Sequence, residues 1–163
     1  MARAPQDAVV RPMRSVDVEA LLPVERLLFA GDPPWTEAQF HDELARMPET
    51  RWYIVAELAT TQTERRIVGY AGLRAPGIPG EPADIQTIAV TPEHQRRGIG
   101  SVLMDALIRE AHARQADSIM LEVRSDNDAA IAFYTEYGFE RIAVRRGYYG
   151  GGRDGLVMRK SLP

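Results

Sequence analysis

A basic, glycine-bearing turn stands between an apolar strand pattern and an amphipathic helix pattern in this 163-residue chain: His94-Gln95-Arg96-Arg97-Gly98-Ile99-Gly100-Ser101. The free N–H groups and positive end of the helix that follows favour an anion, and Gly98 and Gly100 let a phosphate approach the backbone with no Cβ in the way. The turn suits a pyrophosphate. Leu103 replaces the third glycine of a dinucleotide fingerprint and the Gly-Lys-Ser/Thr of a P-loop is missing, so neither NAD nor ATP is indicated. An ordinary strand-to-helix turn, with glycines chosen for close packing, fits the same residues. Glu122 is a second irregularity: it lies among Ile119, Met120, Leu121 and Val123. A charge in an apolar run tends to be functional or paired, and a Glu on the solvent face or paired with Arg124 satisfies the pattern equally. Tyr134 sits beside Phe133 and Tyr137, and by periodicity alone it reads as core. Asn127 stands where a helix begins and is a favoured N-cap. With three histidines (His41, His94 and His112) and no cysteine, no metal-ligand spacing can be assembled, and no metal is expected.

The length fits a single domain spanning residues 1–163, long enough to bury a core without disulfides. Hydrophobic residues make up 45% and charged residues 26% of the chain, as in a soluble protein, and no run approaches the roughly 18 apolar residues of a membrane span. The segment Met1–Val10 lacks the pattern of a secretory signal, so a cytoplasmic location and no membrane partner are expected. The net charge of −3 argues against a nucleic-acid partner. Lys160 is the single lysine among 20 basic residues. Arginine suits bidentate phosphate contacts, although genome-level codon bias explains the excess as well.

The elements that must position these residues alternate in type. A strand over Ala8 to Met13 precedes helical spacing at Val18, Leu21, Leu22, Glu25, Leu28 and Phe29, which reads as one helix kinked at Pro23 or as two short ones. Thr36 and Gln39 form a capping-box pattern for a second helix ending near Pro48. Arg51 to Leu58 and Arg66 to Leu73 read as an antiparallel hairpin, and Ala75 to Glu81 as a loop before a strand over Asp84 to Val90. Ile99, Val102, Leu103, Ala106, Leu107 and Ala111 mark the clearest amphipathic helix. A strand over Ser118 to Arg124, a helix from about Asn127 to a stop at Gly138, and strands near Phe139 to Arg145 and Leu156 to Lys160 complete an α/β domain with a mixed sheet.

Gln95-Arg96-Arg97-Gly98-Ile99-Gly100 resembles the Gln/Arg-x-x-Gly-x-Gly/Ala motif of the GNAT superfamily of acetyl-CoA-dependent N-acetyltransferases, and the element order resembles that fold from first strand to last. Leu121-Glu122-Val123-Arg124, Asn127, the run Ala129 to Tyr134 and Tyr137-Gly138-Phe139 are similar to the bacterial RimI group, the ribosomal-protein alanine N-acetyltransferases. Pro34-Trp35-Thr36 and Arg145-Arg146-Gly147-Tyr148-Tyr149 also resemble segments of that group, whereas Arg153 in the glycine-rich stretch 150–155 stands where the group commonly has an acidic residue.

The resemblance implies a mixed, mostly antiparallel sheet flanked by helices, with acetyl-CoA as donor. It implies that the backbone of Ile88, Ala89 and Val90 pairs with the pantetheine arm and stabilises the oxyanion. It also implies that the segment Gln95, Arg96, Arg97, Gly98, Ile99, Gly100 and Ser101 holds the pyrophosphate, and that Asn127 touches the pantetheine or caps its helix. Glu122 becomes the candidate general base and Tyr134 the candidate acid at the departing thiolate. Trp35, Glu37, Tyr148 and Tyr149 become candidates for the acceptor groove. The acceptor implied is the N-terminal α-amine of a protein, with two alternatives: a small-molecule amine (polyamine, amino acid or antibiotic), or a non-catalytic acyl-CoA-binding domain. Oligomeric state is not legible.

Overall fold

A computed structural model describes residues 8–29, 33–148 and 152–163. Seven strands form one sheet in the order β1-β2-β3-β4-β5-β7-β6. They are β1 (Val9–Pro12), β2 (Arg51–Ala59), β3 (Arg65–Arg74), β4 (Ala83–Val90), β5 (Ser118–Arg124), β6 (Glu140–Arg145) and β7 (Gly155–Ser161). The helices are α1 (Val18–Leu28), α2 (Glu37–Leu44), α3 (Ile99–Ala113) and α4 (Asp128–Glu136). All neighbouring strands run antiparallel except β4 and β5. The expected mixed, mostly antiparallel sheet flanked by helices is the observed architecture.

Alternation along the strands sends side chains to two apolar layers. On one face Ile99, Leu103, Met104 and Leu107 of α3 pack with Ile54, Val68, Leu73, Ile119, Leu121 and Val123. On the other, Val18 and Leu21 of α1 and Phe40 of α2 pack with Tyr53, Val55, Tyr70 and Ala89. The two faces of β5 therefore separate cleanly: Ile119, Leu121 and Val123 are buried, while Met120, Glu122 and Arg124 are half-buried on the other side.

Local signals hold where the chemistry is local. Thr36 Oγ1 accepts from Gln39 N–H at 3.2 Å while Gln39 Oε1 accepts from Thr36 N–H at 2.8 Å, the reciprocal cap its spacing predicts. Of the two readings of the first helical segment, a single helix is the one observed, running from Val18 to Leu28 with Pro23 inside it. One boundary differs. The second helix stops at Leu44, short of Pro48, where the chain tightens into turns through Arg46 N–H to Glu43 O and Met47 N–H to Leu44 O.

Tyr53 crosses directly over Gly72 on the neighbouring strand: a Cβ there would lie 2.3 Å from Tyr53 Cε2. Gly72→Ala should therefore displace a fully buried ring and cost about 1–3 kcal/mol, seen as a lower urea midpoint with an unchanged slope.

Candidate active site

The turn after β4 is tightly scripted. Thr91 N–H donates to Val68 O at 2.9 Å, Thr91 Oγ1 lies 2.8 Å from His94 Nδ1, and Gln95 Nε2 donates to Val90 O at 3.1 Å. Two left-handed residues then swing the chain into α3, Arg96 at φ 63° and Gly98 at φ 84°. Gly98 is the N-cap and supplies no side-chain cap, so the first N–H groups of α3 face outward without a local acceptor. The two glycines have different reasons. Gly98 is required by its left-handed backbone. A Cβ at Gly100 would meet Phe133 at 3.5 Å, an ordinary contact, so packing does not demand its bareness. Gln95, Arg96 and Arg97 are exposed. Ile99 is buried in the core and offers its backbone, and Ser101 O accepts from Tyr137 Oη, the residue just after α4, at 3.2 Å.

Beside this turn the sheet opens. β4 and β5 pair only at Ala83↔Ile119 and Asp84↔Met120 and then diverge. In an antiparallel ladder successive residues turn their N–H and C=O to alternate edges, and Thr91 N–H points to β3. Ala89 must therefore also face β3, opposite Tyr70, while Ile88 and Val90 face the gap. Of the three residues expected to pair with a pantetheine arm, Ala89 is turned away, with its side chain buried under α1 and α2. Ile88 and the Val90 N–H remain directed into the opening.

The gap widens into a cleft of about 1030 Å³ that passes between the two halves of the sheet. Ile88, Asn127, Ala130 and Tyr134 line it on the α4 side, and Trp35, Glu122, Arg145 and Tyr148 on the side of α1 and α2. Asn127 caps α4, its Oδ1 accepting from Ala130 N–H at 3.2 Å, and lines the cleft as well. Tyr134 stacks edge-on with Phe139 at 5.9 Å between centroids. Trp35 is half-buried, tilted on Phe40 at 5.2 Å. Tyr148 lies under the Arg145 guanidinium at 5.3 Å. Glu37 does not join the cleft lining; it is exposed on the first turn of α2, 3.6 Å from His41. Tyr149 falls outside the described residues. Among the described residues no cluster of metal-ligating side chains is present, and no helix is long and apolar enough to cross a membrane.

Glu122 is paired, but not with Arg124. Arg124 reaches forward to Asp126 in the next turn at 2.7 Å, and Arg145 Nε at the end of β6 meets Glu122 Oε1 at 3.1 Å. Only the strand order, which puts β7 and then β6 beyond β5, brings Arg145 near.

Glu25 and Gln86 are site residues that sequence reasoning passed over. Glu25 is 1% exposed, with Oε1 accepting from Tyr70 Oη at 2.9 Å and Oε2 from Trp35 N–H at 3.0 Å, so it pins the α1–α2 connection to the sheet. Burial pushes its carboxyl above the usual carboxylate range, the two hydrogen bonds opposing that shift. Its signal was an acid on the apolar stripe of α1. Gln86 lines the cleft and accepts from Tyr53 Oη at 2.7 Å.

A helix N-terminus open to an anion, a strand edge free along one side and a cleft holding a carboxylate and a phenol together describe an enzyme built around a long, phosphate-bearing donor. The family model described as Acetyltransferase (GNAT) family matches residues 19–139, and the chain belongs to that family of acetyl-CoA-dependent N-acetyltransferases. It is 37% identical over 157 residues to the N-alpha-acetyltransferase RimI of Mycobacterium tuberculosis, covering 95% of this chain and 93% of that one. The structure of Ard1 from Thermoplasma volcanium superposes with a TM-score of 0.83 at 27% identity over 96% of this chain and 99% of the other. That of the ribosomal-protein-S18-alanine N-acetyltransferase from Escherichia coli gives 0.74 at 28% over 94% and 93%. The chain spans only 40% of an uncharacterised Mycobacterium leprae protein to which it is 38% identical over 154 residues.

The raised pKa of Glu25 sets a pH dependence. A carboxyl whose folded value lies above its unfolded one contributes stability that is present below the unfolded value of about 4.3 and lost as pH rises through the folded one. In Glu25→Gln the amide oxygen can accept from Trp35 N–H and the amide N–H can donate to Tyr70, so this pH-dependent loss disappears. The stability difference, variant minus parent, should grow as pH rises above about 4.3 and through the folded value, in denaturant melts followed from acid to neutral pH.

Proposed function

We propose that this protein acetylates the N-terminal α-amine of a protein, with alanine as the first residue accepted, and that residues 1–163 form one catalytic domain. The observation carrying this reading is the single continuous cleft that both Glu122 and Tyr134 line across the split sheet. The name of the Escherichia coli structure, a ribosomal-protein-S18-alanine N-acetyltransferase, supports the choice of acceptor.

Acetyl-CoA, when bound, supplies an acyl group already activated as a thioester. The segment Gln95 to Ser101, with the outward N–H groups of α3, holds the pyrophosphate. Ile88 and the Val90 N–H present a strand edge to the pantetheine arm and donate to the carbonyl oxygen as negative charge develops on it. An α-amine with an ordinary pKa of about 7.7–8.0 sheds its proton far more readily than a lysine at about 10.4, so one carboxylate acting through water suffices. Glu122 is that base, and Arg145 holds it in place. Tyr134, with an ordinary phenol pKa of about 10, returns a proton to a thiolate at about 8.5. Trp35 and Tyr148 wall the acceptor side.

Incubation with acetyl-CoA and an alanine-starting peptide should give a mass increase of one acetyl group at the N-terminus. Turnover on polyamines or free amino acids with none on peptides would replace this reading by a small-amine acetyltransferase. Glu122→Gln should lower kcat by about 10²–10⁴-fold while the acetyl-CoA Kd stays within about twofold; parent-like turnover would place the base elsewhere.

A further inference from the structure

Gln86 occupies an unusual place in β4. The β3–β4 register passes from Gly72↔Thr87 to Leu73↔Ile85, which leaves Gln86 as the extra residue of a β-bulge. Bulges beside a site re-aim a side chain. Here the side chain is half-buried, lines the cleft, and is gripped at one end by Tyr53.

That grip decides which end of the amide faces the cleft. Tyr53 Oη donates to Gln86 Oε1 at 2.7 Å, so the oxygen of the amide meets the phenol. The phenol has one proton to give. Its other neighbour, Glu43 Oε2, is 3.4 Å away and is already engaged by Arg51 Nε. Burial pushes the Tyr53 hydroxyl well above the ordinary tyrosine range, so the proton stays on it. The ring cannot swing aside, because it lies fully buried across Gly72. With Oε1 occupied, Gln86 keeps two N–H donors on Nε2, and no described residue accepts from them.

We propose that the Nε2 amide of Gln86 reads the first carbonyl oxygen of the acceptor, making the site selective for an α-amino acyl group over a plain amine. This rests on the acceptor reading above. A donor pair cannot hold a neutral amine through that amine's own N–H groups. It can hold a carbonyl oxygen, and every N-terminal residue carries one next to its α-carbon, whereas a polyamine carries none. The position agrees: Gln86 lies on the seam side of Ile88, where β4 still approaches β5, and shares the cleft with Trp35 and Glu122. Tyr53 is then a positioning residue, acting through Gln86.

A single-atom probe tests this. An alanine-starting peptide and the same peptide with a thioamide at its first peptide bond differ in how well that group accepts a hydrogen bond. The parent should prefer the oxo peptide about tenfold in kcat/KM, the effect of one such bond. Gln86→Glu, which still accepts from Tyr53 but has no N–H to offer, should bring the oxo-to-thioxo ratio to about one and raise the oxo peptide's KM. The acetyl-CoA Kd should be unmoved. Gln86→Met, of similar length and without charge, should give the same ratio, which guards against a folding defect in the first variant. A ratio unchanged from the parent in both variants, with peptide turnover intact in the parent, overturns the role of Gln86 alone. A parent that acetylates carbonyl-free amines and no peptide overturns the acceptor reading and the role of Gln86 with it.

Discussion

The pairing of β4 with β5 stops after two residue pairs, and the rest of the site depends on that stop. A parallel ladder continued to Val90 would satisfy the backbone groups of Ile88 and Val90 and close the cleft in doing so. Each half of the sheet is instead held from its outer side: β4 by β3 and β5 by β7, along most of their lengths. The two half-sheets can therefore separate without either losing its ladder. Backbone N–H and C=O groups are almost always paired, so the Ile88 backbone and the Val90 N–H, which face the cleft, are left for solvent or a bound molecule to pair with. α3 packs beneath both halves and starts where β4 ends, so the helix N-terminus and the open edge come from one continuous stretch of chain.

Features that depend on neighbours in sequence were legible, and those that depend on strand order were not. The glycine-bearing turn after β4, the capping box at Thr36 and the amphipathic face of α3 are encoded within a few residues each, and all appear where their patterns place them. The charge of Glu122 was visible as a break in an apolar run, but its partner was not. Arg124 is two residues away and Arg145 twenty-three, yet β6 delivers the latter. The turned-away Ala89 could not be foreseen either, because the edge a strand residue presents is set by ladder phase, and no periodicity of side chains records it. Glu25 was legible in principle. It stood on the apolar stripe of α1 and was read as part of the helix, when an acid at a buried position asks for a named partner.

Glu43, Arg51, Tyr53 and Gln86 form one connected polar chain on the α1 and α2 side of the cleft, and Glu25, Tyr70 and Trp35 form another. An apolar layer there would be cheaper to bury. Satisfied networks of this kind give rigidity in return, since each member fixes the proton or the orientation of the next. The α3 side, by contrast, is almost wholly apolar. In the proposed reaction, donor binding uses a backbone edge and a helix end, which apolar packing holds well enough. Distinguishing one amine from another needs side chains with assigned donor and acceptor ends, and the polar chains lie on the side that the proposal gives to the acceptor.

The weakest support in the site is the partner of its proposed base. Arg145 closes β6, whose six residues are all exposed, and its own side chain is 56% exposed. An edge strand with so little burial lies at the low end of local stability and opens before the core does. Tyr148, three residues on, shares the same guanidinium. In the mechanism proposed above, an acceptor resting on Tyr148 would touch the same guanidinium that pairs with Glu122, which would couple arrival of the acceptor to alignment of the base. Fixing that arginine on a well-packed central strand would hold Glu122 more firmly, but it would uncouple the carboxylate from the presence of anything to deprotonate.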